Sequence, residues 1–235
     1  MKKYAFAAAF CLMILGANAF GQSTIYNAPS TDVKERGRGY VELDFISHFD
    51  RFENGGFQTY GWRSTYGLTK KVEVGANLFY TSDGSGRIPF IAQPNAKWQV
   101  YSSEKNKLAV STGIIASVPL NRAAGSRATG MVYTNVSKEF SELGDMRTTF
   151  GAYKLINTED DEESKAGIFI GIEKPLFKRV SFTGDWFSGK NGVGYATPGI
   201  SVVLNSRQIF GAGYSFGNSG RGNNALTTYY GISFD

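Results

Sequence analysis

The chain has 235 residues, of which 19% are charged and 14% aromatic, with 29 glycines and a formal net charge of +5. That length suits one domain or one medium-sized barrel. The aromatic and β-branched content argues against a disordered chain. So slight a positive charge, with no basic cluster behind it, argues against a nucleic-acid partner.

The N-terminus reads as an export signal over residues 1–19. Lys2 and Lys3 precede the apolar stretch Tyr4 to Gly16, and Ala17-Asn18-Ala19 has the small-residue pattern of a cleavage site. The mature chain is expected to begin at Phe20. The apolar stretch is too short to cross a bilayer as a helix. Cys11, the one cysteine, lies inside it without the pattern of a lipoprotein site, and its removal leaves no thiol and no cysteine-based metal site. Residues 20–36 (FGQSTIYNAPSTDVKER) form a polar N-terminal arm.

From Gly37 onward the sequence alternates with period two, the signature of β-strands with one apolar face. The first run, Tyr40–Phe49, sets Val41, Leu43, Phe45 and Phe49 against Tyr40, Glu42, Asp44 and His48. After the Glu53-Asn54-Gly55-Gly56 turn, the second, Phe57–Leu68, sets Tyr60, Trp62 and Tyr66 against Thr59, Arg63 and Thr65. The third sets Val72, Val74, Ala76, Leu78 and Tyr80 against Glu73, Gly75, Asn77 and Thr81. The fourth opposes Ile88, Phe90, Ala92, Ala96, Trp98 and Val100 to Gln93, Asn95, Lys97, Gln99 and Tyr101. The fifth opposes Leu108, Val110, Ile114, Ala116 and Val118 to Ser111, Gly113 and Ser117. Later runs are Met131–Phe140, Met146–Ile156, Ala166–Ile172, Val180–Ser188, Tyr195–Leu204, Gln208–Phe216 and Leu226–Phe234.

Twelve runs of about 8–13 residues approach the length of a tilted transmembrane strand. No later apolar run exceeds a few residues, Ile168-Phe169-Ile170 being typical, so a membrane position requires a closed barrel. Connections after odd runs are mostly longer than those after even runs, the asymmetry of outer loops against periplasmic turns. The predicted fold is therefore all-β: an antiparallel up-and-down transmembrane β-barrel of twelve strands over residues 37–235. The arm of residues 20–36 then either stays in the periplasm or folds into the lumen. Aromatics near run ends, such as Phe49, Trp98, Phe140, Trp186, Tyr230 and Phe234, suit interfacial belts. Alternation alone leaves open a secreted soluble β-sandwich with the facing inverted. Gly75, Gly113, Gly151, Gly167, Gly171 and Gly231 on the polar face suit a crowded lumen. Pro94 and Pro198 fall inside runs, and β-bulges are predicted there. Lys154 falls on the lipid face, so it either snorkels or marks a register slip.

The C-terminal Tyr229-Tyr230-Gly231-Ile232-Ser233-Phe234-Asp235 resembles the assembly signal of bacterial outer-membrane proteins, with Gly231 and Phe234 in the signal positions and Asp235 as a departure, since those chains usually end on the aromatic. With the export signal and the twelve runs, the whole mature chain resembles a Gram-negative, porin-like outer-membrane barrel. A fainter likeness is to the outer-membrane transporters grouped with phenol-degradation pathways. The resemblance implies outer-membrane localisation, contact with membrane lipid and lipopolysaccharide, handling by the barrel-assembly machinery, and passage of small solutes without a cofactor.

The candidate lumen lining is Glu42, Asp44, His48, Glu73, Glu139, Glu173 and Asp185 with Arg63, Lys97 and Arg147. The acidic excess predicts a narrow channel of mild cation preference. The alternative is a plugged structural or surface-interaction barrel in which these charges pair across the lumen. A third reading is a lipid-acting barrel enzyme using His48, the only histidine, beside Asp44 and Asp50. Catalytic outer-membrane barrels resemble one another in pairing histidine with serine or acidic residues. Ser47, however, points to the opposite face of its strand. The run Glu159-Asp160-Asp161-Glu162-Glu163 is the one weak cation candidate, and it lacks EF-hand spacing.

Overall fold

A computed structural model describes residues 23–86, 88, 90–121, 127–158, 164–220 and 223–234. The export signal, the acidic run at 159–163 and Asp235 lie outside these residues. Among them, twelve strands form one closed ring: β1 (Gly39–His48), β2 (Phe57–Gly67), β3 (Val72–Ser82), β4 (Ile91–Ser103), β5 (Leu108–Pro119), β6 (Thr129–Phe140), β7 (Met146–Ile156), β8 (Ala166–Phe177), β9 (Val180–Phe187), β10 (Tyr195–Val203), β11 (Gln208–Gly217) and β12 (Ala225–Phe234). Each strand pairs with its sequence neighbours, and β1 pairs antiparallel with β12 from Gly39↔Phe234 to Ser47↔Leu226, so no edge is left unpaired. This ring settles the choice against a two-sheet sandwich.

The facing settles it again. Large apolar side chains point outward and are exposed, among them Leu43, Trp62, Trp98, Ile114, Phe150 and Phe210, while Glu42, Asp44, Glu73, Lys97 and Asp185 are buried inside. A water-soluble barrel would do the opposite. An apolar outer belt around a polar interior belongs to a barrel in lipid. Connections after β1, β3, β5, β7, β9 and β11 span seven to nine residues, and those between even and odd strands span two to five. The long-loop end is the outer mouth.

Two expectations fail. No bulge forms at Pro94 or Pro198. Pairing of β4 with β5 skips Gln93 and Pro94 and resumes in the same register, and β10 with β11 skips Thr197 and Pro198 likewise. Each proline withholds one donor, which a ladder survives without an inserted residue. The shifts lie instead between Gln99 and Tyr101 in β4 and between Pro175 and Phe177 in β8. The first leaves Val100 and Tyr101 both exposed, so Tyr101 is not on the buried face assigned to it. The eighth run is also longer than its alternation shows, ending at Phe177. Lys154 is exposed near the outer end of β7 in unbroken register with Val132 and Ala166, the position from which a lysine snorkels. Phe234 faces outward and is exposed, and a Cβ on Gly231 would overlap the Tyr40 ring.

The interior is not uniformly polar. Tyr133, Tyr153, Phe169 and Phe187 form a buried aromatic cluster with Met131 and Ala28. Phe169 and Phe187 lie 5.1 Å apart, and Tyr153 meets Phe187 edge-on at 5.3 Å. Gly151 sits where a Cβ would strike the Phe169 ring, so glycine is what admits that ring. Truncating so enclosed an aromatic leaves a cavity. Phe169→Ala is expected to destabilise the refolded barrel by about 3–5 kcal/mol, read as a lower urea midpoint for loss of heat-modifiable gel mobility; an unchanged midpoint would show that the cluster contributes nothing.

Candidate functional site

The arm lies in the lumen, which answers the alternative left by its sequence. It forms a hairpin: Thr24 bridges Pro29 in antiparallel fashion, Ile25 N–H donates to the Ala28 carbonyl (2.9 Å), and Ser30 N–H donates to the Ser23 carbonyl (3.1 Å). Where the chain leaves the hairpin toward β1, Arg36 bridges Gly67 at the inner mouth. The hairpin therefore rises from the periplasmic side and turns at Ile25–Ala28.

Its tip is held by one carboxylate. Asp185 Oδ2, projecting from β9, accepts the consecutive backbone N–H groups of Tyr26 (3.0 Å), Asn27 (2.6 Å) and Ala28 (2.6 Å). Three aligned N–H dipoles on one anionic oxygen form an anion-binding nest, and each bond to the charged acceptor is stronger than a neutral one. The Asn27 amide also donates to Thr197 Oγ1 (3.0 Å), and the Tyr26 hydroxyl to the Ile200 carbonyl (2.9 Å). Gly171 leaves the space that Ile25 fills.

Lower down, Lys97 and Glu73 form a fully buried pair at 2.8 Å. Lys97 Nζ gives its other two protons to the Ser23 (3.0 Å) and Ser30 (3.2 Å) carbonyls, which uses all three donors of an ammonium. Glu73 accepts the Ser23 N–H (2.7 Å), the Ser23 hydroxyl (3.0 Å) and the Lys34 N–H (2.9 Å). Arg147 grips both oxygens of Asp32 and also donates to Thr31 Oγ1 (2.6 Å). Burial alone would raise the Asp32 carboxyl, but the Arg147 bonds and charge outweigh it and hold it below its usual range. Arg63 donates through Nε to Asp44 (2.6 Å) and through Nη1 to Thr24 Oγ1 and the Tyr26 carbonyl (both 3.3 Å), with Glu42 at 3.7 Å.

Two cavities flank the hairpin. The inner one, about 360 Å³, is lined by Asp32, Lys34, Glu42, Glu173 and the periplasmic-turn residues Asn205–Gln208. The outer one, about 550 Å³, reaches Thr59, Asn77, Gln93, Thr158 and Tyr195. Thr24 and Arg63 line both, so their contact is the septum between them.

Eight of the ten lumen candidates thus lie inside, and two stand at the mouths. Glu139 is partly exposed at the inner rim, paired with Lys107. His48 is at the outer mouth, its Nδ1 bonded to the Asn224 carbonyl and its ring stacked near Phe57 at 6.1 Å. It does not join Asp44, which is bonded to Arg63, and Asp50 is bonded to Arg51 N–H and Asn54. Most residues missed by sequence reading are in the arm, namely Ser23, Thr31, Asp32, Lys34 and the N–H groups of Tyr26–Ala28, with Thr197, Phe169 and Phe187 missed on the wall. The one available signal was the turn-forming Asn27-Ala28-Pro29.

No family model and no curated protein matches the chain. Solved structures do. The KdgM porin superposes with a TM-score of 0.57 at 6% identity, covering 83% of this chain and 98% of the porin. The NanC porin gives 0.56 at 8% identity, covering 84% and 99%. Outer membrane phospholipase A from Escherichia coli gives 0.50 at 13% identity, covering 87% and 95%. Identities this low speak for the fold alone, a closed twelve-stranded antiparallel barrel like that of the outer-membrane porins.

Proposed function

We propose that the protein is a narrow outer-membrane channel for small solutes, with the N-terminal hairpin as its constriction. The observation that carries this reading is the pair of chambers on either side of the hairpin, with Thr24 and Arg63 lining both. With the arm and turn charges Asp32, Lys34 and Arg207 included, six carboxylates (Asp32, Glu42, Asp44, Glu73, Glu173, Asp185) face five bases (Lys34, Arg63, Lys97, Arg147, Arg207), a slight excess that supports at most a mild preference for cations. The KdgM porin has been solved with an oligogalacturonate; an acidic sugar would meet, in the outer chamber here, one base already bonded to Asp44. The carbonyl bond of His48 and the prior engagement of Asp50 support a non-enzymatic reading. The density of arm-to-wall bonds favours a second reading, a barrel kept closed for structural or surface roles.

Planar-bilayer recording separates the two. The refolded chain from Phe20 is expected to give small conductance steps, and deletion of residues 23–34 larger ones, with reversal potentials in a salt gradient favouring cations. Silence from inserted wild type would establish the closed barrel, with currents from the deletion alone naming the arm as its plug, and anion selectivity would overturn the electrostatic part.

Hairpin docking is testable separately. Asp185→Ala leaves three buried N–H groups without their acceptor, at about 1–3 kcal/mol each. In a chain from Phe20, which lacks the native cysteine, Asn27→Cys should react with a maleimide at least about tenfold faster once Asp185 is also Ala. Equal rates would mean the nest does not hold the tip.

The Asp32–Arg147 pair adds a pH dependence. Because the folded carboxyl is held below its usual value, its contribution is complete above the ordinary range near about 4 and is lost as pH falls through the lowered value. A nitroxide on Val33→Cys, next to the pair, should stay immobile at pH 5 and loosen only in stronger acid; loosening already between pH 7 and 5 would contradict this assignment.

A further inference from the structure

The two ends of the barrel differ in charge. By sequence, the five turns at the inner mouth carry seven lysines and arginines against three carboxylates, a net +4. The six outer loops carry seven against eight, a net −1. The inner excess includes two adjacent pairs, Lys70-Lys71 between β2 and β3 and Lys178-Arg179 between β8 and β9.

Strand ends add to it. Lys138 on β6 is paired with Thr148 and Lys174 on β8 with Phe182, which puts both lysines on the lipid-facing phase. Lys138 Nζ donates to the Asn106 carbonyl (2.6 Å) and Lys174 Nζ to the Leu143 carbonyl (2.8 Å), so both ammonium groups are drawn to the rim. Among the described residues neither lysine lies in an ion pair, and the rim acids Glu139 and Asp145 are taken by Lys107. The strand carboxylates Glu42, Asp44, Glu73, Glu139, Glu173 and Asp185 all take the inward phase. Large apolar side chains stand exposed at the same level: Trp98, Leu143, Leu176, Phe177 and Leu204.

A lysine at this depth lays its stem along hydrocarbon and its ammonium among headgroups. Bases clustered at a membrane border attract anionic lipid. A soluble acidic protein would cover the turns alone and leave the lipid-facing lysines and exposed apolar residues unmatched. A phospholipid matches both, with phosphate at the rim and acyl chains along the wall.

We propose that the inner rim is a binding surface for anionic phospholipid of the periplasmic leaflet, its headgroup phosphates held by Lys70, Lys71, Lys138 and Lys174. The proposal requires only a barrel seated in lipid and holds whether or not the lumen conducts.

Tryptophan quenching by brominated lipid tests it. Trp98 pairs with Val72, beside the Lys70-Lys71 turn, and is exposed. Trp186 lies one residue before the outer end of β9. Three chains each keep one tryptophan, the others being changed to Phe: Trp98, Trp186, or Phe177→Trp at the inner end of β8. Each is refolded into phosphatidylcholine vesicles holding equal fractions of brominated phosphatidylglycerol or brominated phosphatidylcholine, and heat-modifiable mobility certifies insertion. At Trp98 and at the Phe177→Trp reporter, phosphatidylglycerol is expected to associate at least about threefold more strongly than phosphatidylcholine. Trp186 is expected to show no preference. High salt should remove the inner preference by screening. Lys70→Gln with Lys71→Gln should remove it at Trp98 alone, and Lys138→Gln with Lys174→Gln at the Phe177→Trp reporter alone. Equal quenching by the two lipids at the inner reporters overturns the proposal and leaves the rim to an anionic macromolecule of the periplasm. An equal preference at Trp186, or one that survives both lysine pairs, overturns it as well.

Discussion

Backbone pairing in lipid is the constraint on which the rest depends. A strand that faces hydrocarbon has no water to accept its N–H or donate to its C=O, so every ladder must close. Here the closure is the β1–β12 seam, running from Gly39↔Phe234 to Ser47↔Leu226. Once the ring is closed, strand periodicity assigns every second residue to lipid and the others to the lumen. Apolar residues are drawn outward, and all that is polar or charged must be accommodated within.

Accommodation is the harder half. Eight strands enclose a space that side chains fill, and sixteen leave an aqueous channel. Twelve fall between, so wall side chains alone would leave gaps beside buried charges. The hairpin makes up the difference. Without it Lys97 would keep Glu73 but lose the Ser23 and Ser30 carbonyls, and Asp185 would lose all three donors to its Oδ2. Burying an ion pair costs desolvation that is recovered only when the remaining protons and lone pairs also find partners. The dependence is mutual. The hairpin's N–H and C=O groups, taken out of water, are satisfied by the same wall residues. Arm and barrel interior therefore form one polar network, and removal of either side strands the other.

This explains what the sequence could and could not disclose. Strands are local: alternation placed all twelve, and the boundaries of β7 matched. The inward charges were readable for the same reason, since Glu42, Asp44, Arg63, Glu73 and Lys97 fall on the polar phase of clear alternation. Partners are not local. Asp185 meets a segment more than 150 residues away, and nothing periodic in residues 20–36 marks their destination. Phe169 was hidden differently. Its neighbours Ile168 and Ile170 face lipid while it faces inward, and three apolar residues in a row erase the phase. The bulges misled because proline was taken as their cause. A missing donor weakens one rung, whereas a bulge needs an extra residue, and the shifts at Gln99/Tyr101 and Pro175/Phe177 lie near strand ends, where the ladder yields most easily.

The hairpin also determines how charge is distributed along the lumen. Glu73, Lys97, Arg63, Arg147 and Asp185 each bond to the arm. They lie at the depths the arm reaches, because only there does backbone enter the lumen to satisfy them. Beyond the tip the arm supplies no backbone to the lumen. A charge on that part of the wall would have to stay hydrated or find a partner across the chamber, and the wall instead carries Thr59, Asn77, Gln93 and Ser117, groups that can satisfy one another. A charged inner half and a neutral outer half are therefore one consequence of how far a single hairpin extends.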